Sequence, residues 1–283
     1  MPELPDVEIL RRYLQSTCLH KTLAEIDVLE PSLVEGMPAE EFRLALRRKR
    51  MTDTVRRGKY LLINLDGLLW MVMHFGMTGG LCYYRQGDPE PDRVRIRFSF
   101  DTGYHLAYTS RRNLGRVSLT TSPRDFIRAR CLGPDALSPG MDYSLFRRSL
   151  CRKKGMIKPA LMDQTIIAGI GNIYSDEILF QAGINPARDL HSLAEPQLLK
   201  LYTAMKSVLQ TAIEHDANPS LLPAPSLLPV RTPGRRCPRC HTVLKMRRIS
   251  GRSAVFCPRC QPESDGTPGR RLEERAGHEC SGA

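Results

Sequence analysis

Apolar residues change their period twice along this chain, and the changes divide it into regions. From Pro2 to Cys18, Val7, Leu10 and Leu14 recur at helical spacing with Arg11 and Arg12 on the other side, and Pro5 stands where a first helical turn tolerates it. From about Leu23 to Thr121 the period falls to two. Tyr60 to Leu65 and Leu68 to Met73 flank Asp66-Gly67, a pair that favours a two-residue hairpin turn, and Val94, Ile96, Phe98 and Phe100 alternate ahead of Asp101-Thr102-Gly103. The pattern predicts a β-sandwich behind one N-terminal helix. Between about Pro134 and Ala217 helical spacing returns. Here Ile157 to Gly183 reads as two helices, the first ending at Gly169-Ile170-Gly171-Asn172 and the second running from near Tyr174 to Gly183. Asp216 to Pro233, rich in proline, serine and leucine, reads as a linker. The expected fold class is α+β and multidomain: residues 1–130 a sandwich domain, 131–217 a helical domain, 218–234 a linker, 235–262 a metal-bearing β-hairpin and 263–283 a disordered tail.

Composition narrows the function classes. The longest apolar run, Tyr60 to Met73, is broken by Asn64, Asp66 and Gly67 and is too short to span a bilayer. Glu3 and Asp6 spoil any secretory n-region, so a soluble cytoplasmic protein is expected. A net charge of +12 makes a polyanion, and nucleic acid first of all, the expected partner. Four of the nine cysteines, Cys237, Cys240, Cys257 and Cys260, form C-x2-C-x16-C-x2-C, a spacing suited to tetrahedral zinc rather than to a disulfide framework. Four thiolates leave no open coordination position, which makes one zinc per chain structural. It would hold a hairpin whose tip is about Ser250-Gly251-Arg252; an arginine there is either solvated or, given Arg235, Arg236, Arg239, Arg247, Arg248 and Arg259 nearby, set against phosphate. Lys153 lies in a second basic run, Arg152 to Lys154, expected on phosphate as well.

Other candidates are plainer. His74 at a strand end reads as structural, and Lys59, after Arg56 and Arg57, as a solvated basic edge. Gly169-x-Gly171 fails as a dinucleotide loop because Tyr174 holds the third glycine position and no strand leads in. The start of the chain carries more chemistry. Proline after the initiator methionine permits methionine removal and would expose a secondary amine, a group no side chain supplies. Its pKa near about 8 leaves a useful unprotonated fraction at neutral pH, able to attack a sugar carbon and form an iminium. Glu3, at a helix N-terminus beside it, is placed to move protons.

The string Pro2-Glu3-Leu4-Pro5-Asp6-Val7-Glu8 resembles the opening of the formamidopyrimidine-DNA glycosylase and endonuclease VIII family, nearer the former branch. The resemblance continues in order to Gln261: Arg57-Gly58-Lys59-Tyr60 is similar to the family's lysine strand, His74 to Gly79 to its intercalation loop, and Lys158 to Gln164 with Ala168 to Tyr174 to its helix-two-turn-helix. Gly251-Arg252 followed by Cys257 to Gln261 resembles its zinc-finger β-hairpin. What this implies is a bifunctional glycosylase and abasic-site lyase acting as a monomer on damaged double-stranded DNA. Pro2 would attack C1′, Glu3 would assist proton transfer at the sugar, Lys59 would serve the eliminations and hold phosphate, and Arg252 would be linked to the second elimination. Lys158, Asn172, Tyr174 and Arg252 would lie along the backbone around the extruded nucleotide, while Met77 and Arg111 would fill the gap left in the duplex. A non-catalytic DNA-binding relative is the competing class, and an enzyme for oxidised pyrimidines the competing specificity; intact Pro2, Glu3, Lys59 and Arg252 favour the enzyme.

The chain departs from the family at four places: Asp6 for glutamate, Asn113-Leu114 where an aromatic wedge is common, Pro91 near a usual histidine, and a short Glu214 to Cys237 segment without the Gly/Phe-rich cover of an extruded 8-oxoguanine. Leu114 is expected to stand in for the wedge, one position displaced.

Overall fold

The computed structural model describes residues 2–263, so the tail expected beyond Glu263 lies outside the described residues. Helix α1 (Leu4–Cys18) precedes strand β1 (Leu23–Val28), helix α2 (Ala39–Leu46), and strands β2 (Met51–Arg57), β3 (Tyr60–Leu65), β4 (Leu69–His74), β5 (Gly80–Arg85), β6 (Val94–Phe100), β7 (Tyr104–Thr109) and β8 (Arg116–Thr120). These strands make two antiparallel four-stranded sheets, ordered β1-β6-β7-β5 and β2-β3-β4-β8. Ile96, Phe98, Leu106 and Tyr108 of one and Leu61, Ile63, Met71 and Met73 of the other share a single buried core, the expected sandwich. Asp66 and Gly67 both take positive φ, +44° and +89°, and Leu65 pairs with Leu69, so the expected hairpin forms with a three-residue loop, one residue longer than the two-residue turn. Helix α2, inside the stretch read as strands, is a departure; Phe42 and Leu46 bury one face four residues apart, and Glu40 and Glu41 occupy the first turn.

Helices α3 (Pro123–Ala129), α4 (Tyr143–Cys151), α5 (Ile157–Met162), α6 (Asn172–Ala182) and α7 (Glu195–Glu214) follow, then β9 (Lys245–Ile249) and β10 (Arg252–Phe256). Phe146, Leu161, Ile178, Leu201 and Leu209 centre the helical core. Two helices belong to more than one core. Leu4 of α1 packs in the helical core, whereas Val7 and Leu14 pack in the sandwich, and Phe180 of α6 is buried in the third core with Leu227, Leu244 and Val255 of the zinc hairpin. The stretch read as a linker is docked rather than free: Leu227 and Leu228 are buried, and the Leu228 amide donates to Glu177 Oε2 at 2.8 Å.

Among the described residues no helix is long and apolar enough to cross a membrane.

Candidate active site

The site forms where α1 meets the turn before α6. Glu3 N-caps α1, its amide donating to Asp6 Oδ2 at 2.8 Å, and the Leu4 amide donates to the Gly169 carbonyl at 3.0 Å. This lays the first residues along the 169–174 turn. The Glu3 carboxylate is fully buried. Its Oε2 accepts from the amides of Gly171 (2.7 Å) and Tyr174 (3.2 Å), and Oε1 from that of Ile173 (2.9 Å). No local side chain caps α6, so Glu3 caps it from 168 residues away. Supplied with those acceptors, α6 starts at Asn172, two residues before the sequence pattern suggested.

Lys59, at the β2–β3 turn, joins Glu3 here. A Cβ on Gly171 would stand 2.4 Å from the Glu3 carboxyl carbon and Oε1 and 2.7 Å from Lys59 Nζ, so both charged groups lie over one bare Cα. Burial lowers the Lys59 pKa against the opposing pull of Glu3, and the Arg252 charge lowers it further. Lys59 is therefore no solvated edge; its ammonium shares the site with Glu3 and within the field of Arg252. Asp6 is pushed up to about 6, by burial first, eased by the Glu3 amide and reinforced by the Glu3 charge. Pro2, half-buried, directly precedes Glu3 in the chain. The Lys59 turn is pinned in its turn: Asp135 Oδ2 accepts the Gly58 amide at 2.6 Å, and Arg56 bridges Asp135 and Glu8.

Lys158 does not stand where the resemblance put it. Its side chain is 1% exposed and paired with Asp176, with Nζ also donating to the Asn172 carbonyl and Ser175 Oγ, each at 3.1 Å. An ammonium already held by three oxygens and sealed from the surface does not reach phosphate; it braces α6 instead. Asn172 and Tyr174 do lie at the α6 N-terminus beside Glu3, and Asn172 Oδ1 is buried without a partner. Arg252 is exposed at the start of β10. Lys153 pairs with Asp163 at 2.8 Å and remains partly exposed.

Met77 and Arg111 are exposed on neighbouring loops, knit by Thr78 Oγ1, which accepts from the amides of Arg111 and Arg112, each at 3.1 Å. Gly76 packs against the Leu114 backbone, with a Cβ there only 2.5 Å from the Leu114 carbonyl carbon. Asn113 is tied inward, Nδ2 donating to Glu30 at 2.8 Å and its amide to Ser110 Oγ at 3.2 Å. That leaves Leu114 and Met77, 46% and 38% exposed, as the apolar pair at this edge. His74 is structural in its surroundings: burial first, then the Lys59 charge, depress its pKa to about 4, and its ring lies 4.9 Å from that of Tyr60. In place of a long cover, residues 222–226 wall a cavity of about 340 Å³ with Tyr174, Glu177 and Gln181.

At the far end the four cysteine sulfurs lie within 4.8 Å of one another, with Sγ separations of 3.4 Å for Cys240–Cys257 and Cys240–Cys260 and 3.8 Å for Cys237–Cys260. Tetrahedral thiolates about 2.3 Å from zinc stand roughly 3.8 Å apart, so the set fits that ion.

Asp135, Asp176, Arg231 and Thr78 escaped the sequence reading. Each acts through a partner far along the chain, and only the burial of several charges in a basic protein hints at such pairs.

Three family models match the chain in order: the formamidopyrimidine-DNA glycosylase N-terminal domain over residues 1–117, the formamidopyrimidine-DNA glycosylase H2TH domain over 132–221, and the zinc finger found in FPG and IleRS over 234–262. Proteins named formamidopyrimidine-DNA glycosylase from Pelotomaculum thermopropionicum and Desulfitobacterium hafniense are 35% and 36% identical over 273 and 274 residues, covering 92% of this chain and 99% and 100% of theirs. Among solved structures, the Lactococcus lactis enzyme bound non-covalently to abasic-site DNA matches with a TM-score of 0.84 at 28% identity, over 92% of this chain and 99% of that one. MutM in complex with DNA containing carbocyclic 8-oxoguanine matches at 0.83 and 28%, over 92% and 100%.

Proposed function

Because the chain belongs to the formamidopyrimidine-DNA glycosylase family, we propose that it works through an iminium formed at Pro2, with Glu3 and Lys59 as the groups beside it. It is a DNA glycosylase of base excision repair with one structural zinc on Cys237, Cys240, Cys257 and Cys260. The observation that carries the mechanism is the meeting of Glu3 and Lys59 over Gly171, next to Pro2.

With methionine removed, the Pro2 nitrogen lone pair attacks C1′ of an extruded nucleotide and the glycosidic bond breaks, the base leaving with a proton. Glu3 assists proton transfer to the sugar ring oxygen, the ring opens, and an iminium links C1′ to Pro2. The iminium acidifies C2′; loss of that proton expels the 3′ phosphate, and a second elimination expels the 5′ phosphate. Lys59 serves the eliminations and holds phosphate, and Arg252 assists the second. Asn172 and Tyr174 at the α6 N-terminus line the extruded nucleotide, while Lys153 lies along the duplex and Met77 and Arg111 fill the gap. The same reading places the enzyme in the cytoplasm, on the chromosome.

Borohydride with abasic-site duplex is expected to trap one covalent adduct per chain, on the N-terminal peptide carrying Pro2. Mapping of the adduct to a lysine, or no adduct at all, removes the assignment.

Lesion choice follows from the wedge. An 8-oxoguanine opposite cytosine stays stacked and paired, and extruding it must offset roughly a few kcal/mol. Asn113 is turned away to Glu30, so Leu114 beside Met77 supplies apolar contact without an aromatic stack, and the short 222–226 stretch supplies little cover. Single-turnover release of 8-oxoguanine is therefore expected to be roughly tenfold slower than release of a ring-opened purine in the same sequence context. Equal or faster release of 8-oxoguanine would show that neither wedge nor cover limits extrusion.

A further inference from the structure

We propose that Asp176 is a positioning residue that sets where Arg252 stands against the reacting nucleotide; this rests on the function proposed above for Arg252. Three segments distant in sequence converge on this one carboxylate. Lys158 of α5 pairs with Oδ1, Arg231 of the 218–234 stretch reaches Oδ2 at 2.7 and 2.9 Å, and the Val255 amide of β10 donates to Oδ2 at 3.1 Å. Val255 lies three residues from Arg252 on the same short strand, so the bond to Asp176 fixes the height of that strand on α6. The other end of the arrangement is fixed as well: Lys158 Nζ and Arg231 Nη2 both also donate to the carbonyl of Asn172, the first residue of α6, which is flanked by the Gly171, Ile173 and Tyr174 amides that hold Glu3.

Asp176 thus ties the hairpin that carries Arg252 to the helix end that carries the Glu3 acceptor site. Its side chain is fully buried and faces two cations, so displacing it leaves charges unpaired in a dry place, which makes the arrangement stiff. Phe180, one turn further along α6, packs in the hairpin's core, and Arg239 and Gln261 bond the cysteine knuckles to Gln181, Ile184 and Asn185. Those bonds hold the knuckles, whereas the Val255 bond to Asp176 acts on β10 itself, the strand that carries Arg252.

The test is a double-mutant cycle on abasic-site DNA, read as the ratio of second-elimination to first-elimination product. Asp176→Asn keeps the side chain's shape and an acceptor for Val255 while removing the charge. It is expected to lower the ratio about tenfold, and in an Arg252→Ala background to lower it less than about twofold further, because its effect passes through Arg252. An equal loss in both backgrounds, an unchanged ratio, or a wild-type enzyme that stops at the first elimination overturns the proposal. If Asp176→Asn does not fold with full zinc, Arg231→Gln takes its place and must lower the ratio in the same background-dependent way; no change with that variant overturns the proposal too. Borohydride trapping of the wild type reports separately on Pro2, so loss of the covalent chemistry and loss of this coupling are told apart.

Discussion

Replacing Gly171 by alanine is expected to slow both base release and abasic-strand cleavage by about a hundredfold or more in a protein that still folds. The backbone at Gly171, φ −129° and ψ −157°, is extended and open to any residue, so the obstacle is what the new methyl meets. It would stand 2.4 Å from the Glu3 carboxyl and 2.7 Å from Lys59 Nζ. Lysine can swing away. Glu3 cannot, because three amides hold its carboxylate and one of them belongs to Gly171 itself. Either the carboxylate leaves its cradle or α1 lifts from the turn, and both displace Pro2 by the order of an ångström, a shift that costs about a hundredfold when reacting atoms must be aligned. The overpacking is local and should cost about 1–3 kcal/mol of stability. Single-turnover rates and a thermal melt measured side by side decide the matter; alanine at near wild-type rates would mean that the cradle does not set the position of the nucleophile.

Cys240→Ser is expected to abolish DNA cleavage by removing the zinc. The two hairpin strands are five residues each, too small a sheet to stand alone, and Cys237 and Cys257 are themselves buried in its core. Without the ion, Arg252 loses its place and Phe180 of α6 loses its cover. The sandwich, with its separate core, should keep its melting transition, whereas the helical region should melt earlier because α6 is shared. Metal content, calorimetry and filter binding on the variant check this together. Full activity in protein shown to hold no zinc would refute it.

What could be read from the sequence follows the reach of the interactions. The Asp66-Gly67 hairpin, the alternation from Val94 to Phe100 and the paired cysteines are local patterns, and each appears in the structure, the hairpin with one more loop residue than the pattern implies. Helix α2 was equally local but was hidden by strands on either side of it. Residues whose surroundings come from far away were the ones misplaced. Lys158 looks like a surface cation in its own segment and is buried with Asp176, 18 residues on, as its partner. Asn113 carries no local sign of its partner Glu30, 83 residues away, which holds its side chain inward. The start of α6 moved for the same reason, since its cap comes from the other end of the chain.

Helix α1, with Leu4 in one core and Val7 in another, also bears on how such an enzyme is made. On the mechanism proposed above, the amine that attacks DNA is among the first groups to leave the ribosome, yet the turn that holds its neighbour Glu3 is synthesised 168 residues later. Until the helical region has folded against the sandwich, Glu3 has no cradle and Lys59 no counterpart. On that mechanism the nascent chain carries an ordinary amine and becomes an armed catalyst only on completion of the domain interface, so that assembly itself serves as the safety catch.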